Sequence, residues 1–380
     1  MTPTYASTAQ TPSEALSKAT SGRRPRNIDS RSPFFHVALV ERNIHPTARP
    51  DPKRSDIIRS IFPDQEPQLD DEEERKWAVD FAKCERSNEP VFQRTIMMDI
   101  INRHCLADSL DWICESEWTC NRMPRKMKPG AVEVVMPKPD LAVAFKTSSL
   151  INDFQMIDLG DFRSHMCPEN FKLDKEDRAF HFFSIEAKDK KAASANEIAN
   201  NQNFNTASQA LHNIYRFMAK SGKLDIFYEK VRFYSVVATS AGFQLRVHRA
   251  TELSKGLILP DYPLGFHFDE ICSMTGRYTK GKVVHIVGNI LVEYGIKILK
   301  PILEDTVDIV LANLDKERQK SSSNRKRRAE GALESFGSQR ARVDDLDLEE
   351  GTGSLSSQLI GSQGTLGIDL PTNMPPEIRS

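Results

Sequence analysis

The chain contains no uninterrupted apolar run of roughly 18 residues, the length a helix needs to cross a bilayer, and no apolar core follows Met1 as a secretory signal would require. Both absences point to a soluble, non-exported protein. Cysteine is scarce: Cys84, Cys105, Cys114, Cys120, Cys167 and Cys272 are scattered without CxxC spacing. That argues against a disulfide framework and for a reducing, intracellular compartment. His104 stands near Cys105, Cys114 and Cys120, but the spacing fits no standard tetrahedral zinc site, and buried free thiols are the simpler account. Charge of one sign is not in excess either. Lys plus Arg (52) balances Asp plus Glu (53), so no whole-molecule field draws the protein to nucleic acid or an acidic membrane. The patterns GxxxxGK[ST], GxSxG and HExxH are missing, which removes the commonest nucleotide-hydrolase, serine-hydrolase and zinc-protease explanations. No internal repeat supports a solenoid.

What is present is unevenly distributed. Hydrophobic residues make up 39% and charged residues 28%, and the apolar shortfall lies at the two ends. Residues 1–70 are rich in Ser, Thr, Pro and Arg without a hydrophobic period, so they read as a disordered arm unable to offset its ordering entropy by burial. One run in it, Phe34 to Val40, could dock on a domain as a strand or helix turn. Residues 315–380 read as a disordered charged tail in which Arg325-Lys326-Arg327-Arg328 precedes the acidic cluster Asp344, Asp345, Asp347, Glu349 and Glu350. The basic run has the composition of a nuclear-import signal, with Arg23-Arg24-Pro25-Arg26 as a second basic patch, so a nuclear location is expected, otherwise a cytoplasmic one.

Residues 71–314 carry the periodic patterns of one α/β domain. Trp77, Phe81, Phe92, Ile96 and Ile100 recur at helical intervals around a break at Asn88-Glu89-Pro90. Val132 to Met136 reads as strand, and so does the stretch holding Leu141, Val143 and Phe145. In Phe180 to Lys188, Phe183, Ile185 and Ala187 share one face while Ser184, Glu186 and Lys188 share the other. Ser194 and Glu197 have capping-box spacing ahead of a helical stretch through Met218. The run Asn200 to Asn205 within it holds poor helix formers, so the helix could start later, with these amides in an exposed first turn or around a phosphate. Val231 to Ala238 and Phe243 to His248 flank Thr239-Ser240-Ala241-Gly242 as an antiparallel hairpin. Val283 to Leu314 reads as a long helix that Pro301 should kink or split.

Side chains two apart on a strand point the same way, so Glu186 and Lys188 project together. A carboxylate can hold a hard cation through oxygen, and a neighbouring ammonium can orient or deprotonate a water or offset phosphate charge. Asp140, at the entry of another apolar strand after Pro139, supplies a second carboxylate, and Mg²⁺ needs no more than one or two from the protein.

Pro139-Asp140, then Glu186-Ala187-Lys188 ending an apolar strand, then a helix bearing Gln202, resemble the PD-(D/E)xK nuclease superfamily. With Asn88-Glu89, Asn201-Gln202-Asn203, the hairpin and the long last helix, residues 75–313 resemble an uncharacterised fungal family of PD-(D/E)xK nuclease-like domain proteins. The resemblance implies a restriction-endonuclease-like mixed sheet flanked by helices. It implies Glu89, Asp140 and Glu186 as ligands of Mg²⁺ or Mn²⁺, and Asp140, Glu186, Lys188 and Gln202 as catalytic residues of a phosphodiesterase acting on DNA or RNA. Glu85 or Asp99 could take the place of Glu89. The segment 141–185 is longer than a compact core requires and could form a lobe over the site. Such folds also serve as inactive modules that bind nucleic acid or protein, and a buried Glu–Lys pair can be purely structural.

Overall fold

Ten consecutive buried residues, Arg178–Ala187, form the strand (β5) around which the rest is layered. The computed structural model describes residues 27–62, 70–120, 122–124, 133–151, 178–188, 195–253 and 262–340. Preceding β5 in the chain are β1 (Asn27–Ile28), α1 (Phe35–Val40), α2 (Arg54–Ile61), α3 (Asp71–Cys84), α4 (Glu89–Arg94), α5 (Ile96–Ile100), β2 (Leu110–Ile113), β3 (Glu133–Val134) and β4 (Leu141–Lys146). Following it are α6 (Ala195–Ser221), α7 (Leu224–Lys230), β6 (Phe233–Thr239), β7 (Gly242–Glu252), β8 (Leu264–Thr275), α8 (Lys280–Asn289), a π-helical segment (Ile290–Leu299) and α9 (Lys300–Arg340).

Six strands make a mixed sheet in the order β2-β4-β5-β6-β7-β8. All neighbours are antiparallel except β5 and β6. A parallel pair requires a crossover, and α6 with α7 supplies it. The β6–β7 hairpin closes at Thr239↔Gly242, as its turn composition predicts. Between Val143 and Phe145 the β4–β5 register shifts, and Phe180 there has a left-handed φ of 56°.

The two faces of the sheet differ in chemistry. Against one lies α6, whose asparagines reach the strands: Asn203 Nδ2 donates to the Val236 carbonyl at 3.2 Å, and Ser184 Oγ donates to Asn203 Oδ1 at 3.1 Å. The amide run therefore lies inside the helix, which begins at Ala195, and is neither an exposed loop nor a first turn; tertiary hydrogen bonds outweigh weak helix propensity. Against the other face lie aromatic rings, with Phe182 against Phe145 and both Phe182 and Tyr234 against Tyr294.

The reading of residues 1–70 as a disordered arm fails from Asn27 to Phe62. Here β1 pairs in parallel with β3, α1 buries Phe35, Ala38 and Leu39, and α2 buries Ile57 and Ile61. Between these helices the chain runs along β8 as a strap, the His45 and Arg49 amides donating to the Phe266 and Phe268 carbonyls at 2.9 and 2.8 Å. Asp51 in the strap is 2.7 Å from Arg232 Nε. Edge hydrogen bonds and ion pairs order the strap, which leaves no hydrophobic period, and the short apolar faces of α1 and α2 anchor it on either side.

Pro301 neither splits the last helix nor ends it. Over Ile290–Leu299 the helix widens to π geometry, and the Lys300 amide donates to Gly295, five residues back. The wider turn spends its missing ladder bond where proline has no N–H to give. The compact unit holding the sheet ends at Glu317. Helical backbone continues to Arg340 and includes Arg325–Arg328. The expected strand at Val132 to Met136 amounts to the two residues of β3. Arg23–Arg26, Val132, Cys167, Ser194, most of the segment 141–185 and the acidic cluster 344–350 lie outside the described residues. Among those described, no helix is long and apolar enough to cross a membrane.

Gly295 is where backbone meets ring most closely: a Cβ there would stand 2.6 Å from Phe182. Gly295→Ala should cost about 1–3 kcal/mol, as overpacking does. Gly288→Ala, with open space around its Cβ, should be neutral or stabilising by up to about 1 kcal/mol. Urea unfolding midpoints compare the two.

Candidate active site

Register brings the acids together. Leu141 pairs with Ile185, which sets Asp140, one residue earlier on the antiparallel partner, level with Glu186. Asp140 Oδ2 accepts the Ala187 amide at 2.7 Å, so its carboxylate is fixed to the backbone of β5. Lys188 follows the strand directly, and its amide donates to the Ala238 carbonyl of β6 at 3.1 Å. Its Nζ lies 3.1 Å from Asp140 Oδ2, 3.3 Å from Glu186 Oε2 and 3.8 Å from Glu89 Oε1. Glu89 opens α4 with Pro90 in the first turn. Of the three acids considered for this position, Glu89 is the one that reaches Lys188: Glu85 is held by Arg277 at 2.7 and 2.9 Å, and Asp99 lies in the field of Lys280.

Three carboxylates thus surround one ammonium in a nearly dry place, the Lys188 side chain being 10% exposed and that of Glu186 1%. Burial, then the Asp140 charge, pushes the Glu186 carboxyl well above the usual carboxylate range, and Lys188 only partly offsets them. Burial also disfavours the Lys188 ammonium, but Glu186, Asp140 and Glu89 outweigh it and hold that group above an ordinary lysine. An ammonium so held donates hydrogen bonds and balances negative charge. It does not take up a proton, so orienting a water suits it better than deprotonating one.

Glu186 also lines a cavity of about 210 Å³. Gln202 and Asn205 of α6 line it too, and Arg31 and Lys138 belong to the same wall. Neither cation makes an ion pair among the described residues. Glu186 Oε1 and Gln202 Oε1 are buried without a hydrogen-bond partner. Gln202 therefore sits beside Glu186, while Asp140 and Lys188 are not among the lining residues. Arg31, Lys138, Asn203 and Asn205 were not singled out individually by sequence. Lys138, two residues before Asp140, carried a faint signal; Arg31 carried none.

Among the described residues no group of three or more His, Cys, Asp and Glu gathers in metal-binding geometry. Two carboxylates nonetheless suit Mg²⁺ or Mn²⁺, whose remaining positions water and substrate oxygens fill. The partnerless Glu186 Oε1, in an acid destabilised by burial and by Asp140, is the atom a cation would satisfy.

Residues 56–254, more than half of the chain, match the model of a domain of unknown function, DUF7924. The chain belongs to the DUF7924 family. No curated protein matches it. The DUF7924 segment contains Glu89, Asp140, Glu186, Lys188 and Gln202, whereas Arg31 lies ahead of it.

Removing the ammonium from such a cluster leaves buried charge uncompensated, a loss of about 3–5 kcal/mol. Lys188→Met should lose that much in buffer containing a chelator, and adding Glu186→Gln should restore part of it. Chemical denaturation of the two single variants and the double variant measures the coupling; additive effects would mean that the charges are independent.

Proposed function

We propose that this DUF7924 protein is a metal-dependent phosphodiesterase acting on DNA or RNA. One observation carries the reading: Asp140, just ahead of β4, and Glu186, near the end of β5, both lie within hydrogen-bond distance of Lys188, and Glu186 lines a polar cavity. The mixed sheet with helices on both faces, and the acid at the start of α4, support a PD-(D/E)xK-type assignment and the resemblance to its fungal nuclease-like branch.

Asp140 and Glu186 would hold Mg²⁺ or Mn²⁺, with Glu89 at the outer side of the cluster. When bound, such an ion supplies positive charge and an acidified water. Lys188 orients water and balances negative charge at the phosphate, and Gln202 offers an amide oxygen next to Glu186. Arg31 and Lys138 give the nucleic-acid backbone two free cations beside an otherwise acidic centre; contacts of that kind bind phosphates without reading sequence. The basic run Arg325–Arg328 supports a nuclear location.

A second reading, an inactive module of the same fold binding nucleic acid or protein, draws on the ion-pair cluster itself: Lys188 already bridges the three acids it faces. Labelled single- and double-stranded DNA and RNA, incubated with the full chain in Mg²⁺, Mn²⁺ or chelator, decide between the two. Cleavage should require metal and fall about 100-fold or more in Asp140→Asn, Glu186→Gln and Lys188→Ala. No cleavage of any substrate, together with no heat of Mn²⁺ binding by calorimetry, would establish the inactive module.

A further inference from the structure

Glu186 shares the face of the sheet on which Ser184 meets α6. Ser235 is the register partner of Ser184 and bonds His248 at 2.7 Å, so His248 faces α6 as well. Arg249, the next residue of β7, projects from the opposite face. Its cross-strand partner on β8 is His267, and the ring of His45 in the strap stacks on that of His267 with centroids 4.5 Å apart and planes 4° apart.

Positive charge is in surplus here. Asp51 is engaged by Arg232 at 2.7 Å and lies 3.7 Å from Arg249. Asp269 accepts the Asp51 amide and is paired with Arg54. Arg49 of the strap is fixed beside His267, its amide donating to the carbonyl of Phe268, the next residue of β8, at 2.8 Å, and its charge acts on Arg249, His45 and His267. Four guanidinium groups (Arg49, Arg54, Arg232, Arg249) thus face two carboxylates (Asp51, Asp269), a surplus of two positive charges. The Arg249 side chain is 11% exposed, and its Nε is buried with no hydrogen-bond partner. Burial lowers the pKa of both imidazoles, and Arg49 adds to this; in His267, pushed down to about 4, His45 and Arg249 contribute too. Cations and near-parallel rings crowded together in excess of acid are an arrangement that binding an anion would stabilise.

We propose that Arg49 and Arg249, with His45 and His267, form an anion site for a phosphate group, on the face of the sheet opposite the carboxylate cluster. The proposal is independent of catalysis at Glu186. Arg49 and His45 are exposed and give access. Arg249 supplies a planar, partly buried donor fork, the geometry that suits tetrahedral oxyanions. His267 is oriented by its 3.1 Å contact with Thr251 Oγ1. A merely solvated basic face would not discriminate phosphate from chloride.

The test titrates the full chain with inorganic phosphate, and with chloride at matched ionic strength, while following the His45 and His267 ring resonances by NMR and the heat by calorimetry. Phosphate, and not chloride, should shift both rings and raise their titration midpoints. Arg49→Ala and His45→Gln, at exposed positions and checked by unchanged melting temperature, should each weaken phosphate binding about tenfold, the cost of one charge-assisted contact. Equal effects of chloride and phosphate, or phosphate binding unchanged in both variants, would overturn the site. Given phosphate binding, a single-stranded oligonucleotide that competes with it, and weakens in the same variants, assigns the site to a nucleic-acid backbone. One that leaves both rings unmoved assigns it to free phosphate or a phosphomonoester.

Discussion

A single oxygen, Oδ2 of Asp140, ties β4 to the end of β5 and sets the chemistry of the site. It accepts the Ala187 amide at 2.7 Å and the Lys188 ammonium at 3.1 Å. The first contact fixes the acid to the backbone of the neighbouring strand, where side-chain freedom cannot carry it away. The second recruits a cation that also faces Glu186 and Glu89. Because Lys188 is positioned by its own amide on β6, three strands are locked where the charges meet. A carboxylate as dry as Glu186 persists in a fold only where such compensation is built in.

That arrangement constrains α6 in turn. A sheet face carrying Ser184 and Glu186 cannot be covered by an apolar helix without stranding polar atoms, and α6 answers with amides, Asn203 bridging Ser184 and the Val236 carbonyl. Satisfied networks of this kind are tolerated in cores, whereas half-satisfied ones are costly. Two acceptors, Glu186 Oε1 and Gln202 Oε1, are left over at the cavity, so polarity here exceeds what the fold itself consumes. The opposite face needs no such device over Phe182 and Tyr234, where the π-helical segment brings Gly295 close against a ring.

Much of this was legible from residues alone, because alternation and turn chemistry are local. β5, the β6–β7 hairpin and the trio Asp140, Glu186 and Lys188 follow from the period of two and from a proline at a strand entry. The strap from Asn43 to Arg54 was not legible: its order comes from backbone pairing with β8 and from Asp51 with Arg232, partners 181 or more residues away. The asparagines of α6 argued locally against helix and were overruled by contacts with the sheet. Around Pro301 the helix is not split: a π-helical segment precedes the proline and α-helix follows it, an outcome that no local rule specifies.

The even overall balance of charge conceals a separation. Acids gather with one lysine on the α6 side of β5, and guanidinium groups gather with two acids on the far side of β7 and β8, with an apolar core between. Coulomb interaction falls with distance and is strongest for contacts of about 3–4 Å, and the ion pairs of each cluster stay on its own face. For the acidic one the candidate counter-charges are a divalent cation and, from the cavity wall, Arg31 and Lys138; for the basic one, an oxyanion. Each cluster carries its own internal pairs, Lys188 with Asp140, Glu186 and Glu89 on one face and Arg232 and Arg54 with Asp51 and Asp269 on the other, so the two halves of the charge balance are set locally.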